Sequence, residues 1–361
     1  MKNFRFAVLS DPHVAIPATI ANNPHRFHLV EVSIPTLTWV LAQLKAIELD
    51  FLLIPGDLTQ DGEPENHQWL QEQLASLPFP VYVVPGNHDV VHTRLKDFPY
   101  YYRAFGYENP RQLYYHHSVL DGVELIGLNS NQFAENGQQL GILDDEQLLW
   151  LEKLLPTLRE HLVLVMIHHN VIEHLPNQSR HELGKRYMLE NAGRLLNLLK
   201  NEGVELIFTG HLHVQDIASY QGIYEITTGS LVSYPHPYRL IEVNQGTKTV
   251  NIDSHRVESI PEWENLAAVS KQYLGDRSHG FMMKLLTGHP LNLPEEQAIP
   301  LVPHLRDFWA DIARGDGIFD FPDFPPLVQR YFQAFGAIDE KGEPILIDNQ
   351  ATLKLNFPMR D

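Results

Sequence analysis

Short apolar runs that stop abruptly at polar clusters constrain this chain more than any other feature. They occupy residues 4–9, 51–54, 81–84, 123–128, 162–167 and 205–208, and most are rich in β-branched side chains. Runs this short and this apolar predict strands buried on both faces. Between most of them the apolar spacing is helical. Ile34, Leu37, Leu41, Leu44 and Ile47 share one face, as do Leu148, Leu149, Leu151, Leu154 and Leu155; Leu195, Leu196, Leu198 and Leu199 mark a third segment. Strand–helix alternation predicts crossover units and a layered α/β fold. Two hairpins add antiparallel pairs. Residues 114–120 and 123–128 flank Asp121-Gly122, and 239–243 and 249–253 flank Asn244-Gln245-Gly246.

The pattern changes near His255. Strand runs fade and prolines punctuate the chain, so the reading divides it into an α/β unit, 1–255, and a mainly helical extension, 256–361. Leu301, Leu305, Phe308, Trp309 and Ile312 form one apolar helical face, and Leu327, Val328, Tyr331, Phe332 and Phe335 form another. Helices this short need a partner surface, which the α/β unit or a second copy of the chain would provide.

Composition excludes several function classes. The 27 Lys and Arg against 45 Asp and Glu give a formal charge of −18, a poor match to nucleic acid or to an anionic membrane surface. The chain has 0 cysteines, so disulfides, thiolate metal sites and thiol nucleophiles are ruled out. It has neither a visible signal segment nor an apolar stretch near the roughly 20 residues of a membrane span. A cytoplasmic protein is the expectation.

Chemistry is concentrated at the strand ends. The first run leads into Asp11-Pro12-His13, the second into Gly56-Asp57 with Gln60-Asp61-Gly62 behind it, and the third into Gly86-Asn87-His88-Asp89. Later runs end at His168-His169 and at Gly210-His211-Leu212-His213. Ligands of open α/β sheets bind beyond the carboxyl ends of strands, so these clusters should meet on one surface. Carboxylate, amide and imidazole donors without thiolate suit a pair of manganese, iron or zinc ions. A carboxylate can bridge two such ions, and Asp57 is the candidate. His92, His116, His117, His161 and His174 lack such companions; the first and the last two of these are expected to be solvated. Asp61 and Asp89 would serve as helix caps.

Together these blocks resemble the calcineurin-like metallophosphoesterases, with D-x-H, G-D, G-N-H-[DE], a later His and G-H-x-H in order over roughly residues 4–255. The resemblance implies a four-layer αββα sandwich with a dinuclear site. It assigns Asp11, His13 and His213 to the first metal, Asp57 to the bridge, and Asn87, His168 and His211 to the second. His168 is preferred over His169 because it directly follows the apolar run. His88 is implied as the catalytic histidine that contacts the phosphate and assists the leaving group, with Asn87 also facing substrate.

Among relatives, the blocks are most similar to those of bacterial class III cyclic-nucleotide and glycerophosphodiester phosphodiesterases. Gln60 stands where protein phosphatases carry the Asp that supports the histidine, and Asp61 is its expected substitute. The implied activity is hydrolysis of a small phosphodiester by a metal-bridging hydroxide. Phosphomonoesterase, DNA nuclease and non-catalytic scaffold are the alternatives, in that order. Two segments are placed to shape a pocket: residues 14–29, with His25, Arg26, Phe27 and His28, and residues 233–239, with Tyr234, His236 and Tyr238.

Overall fold

A computed structural model describes residues 3–23, 26–337 and 348–356. The strands are β1 Phe4–Val8, β2 Phe51–Ile54, β3 Val81–Val83, β4 Tyr115–Leu120, β5 Val123–Gly127, β6 Asn131–Phe133 and β7 Gln139–Gly141. They continue with β8 Leu162–Met166, β9 Leu206–Thr209, β10 Asp216–Tyr220, β11 Ile223–Thr227, β12 Pro237–Asn244, β13 Thr249–Arg256 and β14 Gln350–Lys354. One six-stranded sheet has the order β14-β13-β12-β1-β2-β3, another the order β10-β11-β9-β8-β5-β4, and β6 and β7 form a small separate hairpin.

Within the first sheet β1, β2 and β3 are parallel, and β12 returns antiparallel beside β1. In the second, β5, β8, β9 and β11 are parallel neighbours. Phe6 and Phe51 of the first sheet stack at 4.6 Å, and Phe6 meets Phe208 of the second edge-to-face at 5.5 Å. The sheets thus share one apolar core. Helices Ser33–Lys45 and Pro64–Ala75 bury Leu37, Val40, Leu41, Leu44, Leu70 and Leu74 on the outside of the first sheet. Helices Asp145–Leu154 and Ala192–Asn201 cover the second with Leu148, Leu151, Leu195 and Leu199. Asp144 caps the former by accepting from the Gln147 amide at 2.7 Å. The result is the expected helix–sheet–sheet–helix sandwich.

The extension is mainly helical, but its largest helix, Leu266–Thr287, left no clear stripe in the sequence. Its buried residues, among them Leu266, Leu274, Met282, Leu285 and Leu286, are spread along 22 residues, as expected of a helix contacted from more than one side. Val302–Leu305 and Phe308–Ala313 carry the first expected apolar face, and Pro326–Gln333 the second. Leu327 leaves that second face: it is 58% exposed, while Phe332 is fully buried. The faces bury against one another and against Leu212, inside the second-sheet motif, and Val214, directly after it. After the helices the chain returns as β14 to pair with β13, a strand absent from the sequence reading.

Candidate metal centre

The loops after β1 and β2 run side by side beyond the sheet edge. The amides of Asp11, His13 and Val14 donate to the carbonyls of Gly56, Asp57 and Leu58 at 3.3, 3.0 and 2.9 Å. This ladder puts Asp11, His13 and Asp57 on one surface. Asp11, His13, Asp57, His211 and His213 all have positive φ, between 39° and 67°. Non-glycine residues rarely adopt that conformation, and five at one site mark strain maintained by the surrounding structure. Space is equally tight. A Cβ on Gly210 would lie 2.1 Å from Ser10 Oγ and 2.3 Å from Asp11 Oδ2. One on Gly86 would lie 2.1 Å from Asp57 Oδ1. The glycines of the motifs therefore let backbone approach the carboxylates of Asp11 and Asp57.

All seven residues expected as ligands converge. Donor atoms of Asp11, His13, Asp57 and His213 lie within 4.8 Å of one another, and so do those of Asp57, His168 and His211. His213 Nε2 is 3.2 Å from Asp11 Oδ1 and 3.3 Å from His13 Nε2. Asp57 Oδ2 is 3.7 Å from His13 Nε2 and 3.3 Å from His168 Nε2. Asn87 Oδ1 lies 3.2 Å from His168 Nε2. Asp57 thus belongs to both groups.

The donor set fits divalent cations in chemistry and position. Two of its histidines are already neutral, whereas burial is outweighed at His168 by Asp57, which raises its pKa to about 9, so a cation there would displace a proton. Burial, followed by the charges of neighbouring histidines, holds His13 and His211 well below the usual imidazole pKa, so their rings are neutral. Burial would raise the Asp57 carboxyl, but His168, His88 and His13 outweigh it and hold it well below the usual range. His168 Nδ1 donates to the Pro55 carbonyl at 2.8 Å, which turns the lone pair of Nε2 toward Asp57 and Asn87. His211 Nε2 donates to the Arg186 carbonyl at 3.3 Å, leaving Nδ1 to the site. His169 is placed differently: its Nδ1 is 2.8 Å from Ser130 Oγ, and burial, then His168, lowers its pKa to about 3.

His88 sits beside this cluster, its amide donating to Asp57 Oδ1 at 2.9 Å. Its Nδ1 donates to the Gln60 carbonyl at 2.6 Å and lies 3.5 Å from Asp61 Oδ1. The backbone carbonyl is therefore the closer support, and Asp61 the flanking charge. Burial works against protonation of His88, yet Asp57, Asp61 and the Gln60 carbonyl raise its pKa to about 9.

Several expectations need correction. Asp89 caps no helix; it is fully buried and accepts from the amides of Leu58, Thr59 and Gly86 at 3.1, 2.8 and 2.8 Å. His174 is not solvated: its side chain is buried between Asp216 and Glu225, because the loop after the β8 motif folds over β11. His161 packs beside Glu124 at 2.7 Å. Residues 233–239 do not line the cavity; His236 is buried and donates to the Leu231 carbonyl at 2.9 Å, and Arg239 is buried between the sheets, donating from β12 to the Thr227 carbonyl of β11 at 2.9 Å. Segment 14–29 does line it, through Arg26, Phe27 and His28, whereas His25 lies outside the described residues. His28 stacks on His13 with centroids 4.2 Å apart and donates from Nε2 to Gln60 Oε1 at 2.8 Å.

A cavity of about 790 Å³ opens over the cluster, bordered by Asp57, Asn87, His88, His211 and His213. Phe281 and Trp309 of the extension also line it. No motif announced them, because an apolar side chain at a pocket lip has the same sequence signature as one in a core.

The family description "Calcineurin-like phosphoesterase" matches residues 4–215. A probable glycerophosphodiester phosphodiesterase, GpdQ, from Arcobacter nitrofigilis is 32% identical over 187 residues, or 50% of this chain and 63% of that protein. The 3′,5′-cyclic adenosine monophosphate phosphodiesterase CpdA of Escherichia coli is 28% identical over 170 residues, 46% of this chain and 55% of CpdA. Both matches span less than two thirds of the relative's length. A dimetal phosphatase from Danio rerio shares the fold at a TM-score of 0.55 and 15% identity, over 70% of this chain and 96% of that one.

Proposed function

Since the chain belongs to the calcineurin-like phosphoesterase family, we propose that it is a dinuclear-metal phosphodiesterase acting on small diesters of the cyclic-nucleotide or glycerophosphodiester class. The carrying observation is the position of Asp57, one carboxylate within reach of two separate histidine groups. In this reading Asp11, His13 and His213 hold one ion, Asn87, His168 and His211 hold the other, and Asp57 serves both. Manganese, iron or zinc would supply a water of lowered pKa and positive charge for the phosphoryl oxygens.

The protein's own groups account for the rest. His88 faces the cavity beside the cluster with Nδ1 tied to the Gln60 carbonyl, so Nε2 is free to meet the substrate. A protonated imidazole there donates a hydrogen bond to the phosphate and a proton to the departing alkoxide. Asn87 has its amide nitrogen available to a phosphoryl oxygen while its Oδ1 faces His168. The acidic exterior does not forbid an anionic substrate, because Lys185 and Arg186 line the cavity, whereas Arg26 beside them is paired with Glu31. We take the substrate to be a small molecule, and neither nucleic acid nor a membrane to be a partner. Among the described residues, no helix is long and apolar enough to cross a membrane. The proposal places this chemistry in the cytoplasm.

The test is turnover of bis-para-nitrophenyl phosphate and of 3′,5′-cyclic AMP by manganese-loaded protein. Replacing His88 by Ala should lower kcat by about 10²–10⁴-fold with metal content unchanged, and Asn87→Ala should lower both. A protein that binds metal and turns over neither diester would overturn the proposal.

A further inference from the structure

The cavity has a second wall, and it is aromatic. Phe27, on the loop after the first ligand pair, meets Phe281 at a centroid separation of 6.3 Å. Phe281 in turn meets Trp309 at 5.2 Å, both contacts being edge-to-face. All three line the cavity that contains Asp57, Asn87 and His88. Phe27 is 36% exposed, on a chain that buries most of its large apolar side chains. An aromatic ring kept at a cavity lip, continuous with two from a different part of the chain, offers aromatic surface to whatever occupies the cavity.

We propose that Phe27, Phe281 and Trp309 form a stacking wall for the base of a nucleotide diester, so that the C-terminal extension makes the site nucleotide-selective. The inference rests on the phosphodiesterase reading and narrows it. A glycerol-type alcohol is flexible and hydroxylated and gains little from three rings. A quaternary ammonium headgroup is also attracted to aromatic faces, but Lys185 and Arg186 share the lining with Asp61 and Glu190, so the cavity offers it no clear excess of negative charge beyond the carboxylate assigned to the metals. The ring contacts run from Phe27 to Phe281 and from Phe281 to Trp309. A planar base suits these rings, and its phosphate suits the basic side chains. Residues 281 and 309 lie beyond the family match at 4–215, so the shared motifs do not specify this wall.

The experiment compares wild type with Phe27→Leu, Phe281→Leu and Trp309→Leu, all manganese-loaded. Binding of AMP and of glycerol 3-phosphate is measured by titration calorimetry. Turnover of 3′,5′-cyclic AMP and of glycerophosphocholine is measured in parallel. Each substitution should weaken AMP about tenfold, the size of one lost base–aromatic contact. KM for cyclic AMP should rise with kcat held, and glycerol 3-phosphate should be unaffected. The Phe27 variant guards against misfolding, since its ring is partly solvent-exposed. Equal weakening of both ligands, or of neither, would overturn the wall, as would a loss confined to glycerophosphocholine. The two readings can fail separately. Turnover of diesters without any ring dependence of AMP binding removes the wall and leaves the activity. Ring-dependent AMP binding without diester turnover removes the activity and leaves the wall.

Discussion

Asp89 grips Thr59 twice, its Oδ1 accepting from the Thr59 amide at 2.8 Å and from the Thr59 hydroxyl at 2.9 Å. Its other oxygen accepts from the amides of Gly86 and Leu58. One buried carboxylate therefore clamps the loop bearing Asp57 to the loop bearing Asn87 and His88. Burial, and then the charge of Asp57, raise its pKa to about 7 against those hydrogen bonds.

Asp89→Asn removes half of this acceptor capacity and places an amide where four donors converge. The expected outcome is manganese affinity reduced about 10–100-fold, the usual consequence of losing a group that orients metal ligands. Titration calorimetry checks it, and unaltered affinity would show that the clamp is dispensable.

His168 and His169 are neighbours with different roles. His168 faces Asp57 and Asn87, whereas His169 is held by Ser130. His168→Ala should lower bound manganese from two ions per chain toward one, and His169→Ala should leave two. Elemental analysis of dialysed protein distinguishes them, and the reverse pattern would reassign the ligand.

Gly210→Ala should act on the first ion without replacing any residue assigned to it. The added methyl would overlap Ser10 Oγ and Asp11 Oδ2 and push the Asp11 carboxylate aside. Manganese affinity should fall while the melting temperature of the metal-free protein changes little. A variant that binds both ions at wild-type strength would show that Asp11 can shift at no cost.

Stability should depend on pH through His174. Burial opposes its charge, but Glu225 and Asp216 raise its pKa to about 10. Folding therefore favours the protonated form. The contribution is complete below the ordinary pKa of about 6.5 and is lost as pH rises toward 10. The urea midpoint should fall across that interval, and His174→Gln should flatten the fall. At neutral pH the same variant should cost about 3–5 kcal/mol, because it leaves the buried Glu225 carboxylate without its counter-charge. An identical pH profile in the two proteins would show that the histidine stays neutral.

The sequence by itself determined the strands of the sandwich and the order of its motifs. Runs such as 51–54 and 123–128 are too apolar to lie anywhere but between layers, and their polar ends must then face one edge of the sheets. From that the clusters at the strand ends were expected on one surface, the family resemblance singled out Asp11, His13, Asp57, Asn87, His88, His168, His211 and His213 among them, and the structure brings these together. Local pattern carries this information because period and punctuation act over a few residues.

Only the tertiary structure decided what depends on contacts between distant segments. Asp89 looks like a helix cap until the loop after β2 is seen to donate to it, and His174 looks solvated until Asp216 and Glu225 close around it. Phe281 and Trp309 carry no local mark of their place, since burial in a core and exposure at a cavity lip demand the same side chains. Their role follows from where the extension docks, against Leu212 and Val214 just after β9, and no periodicity along the chain encodes that distance.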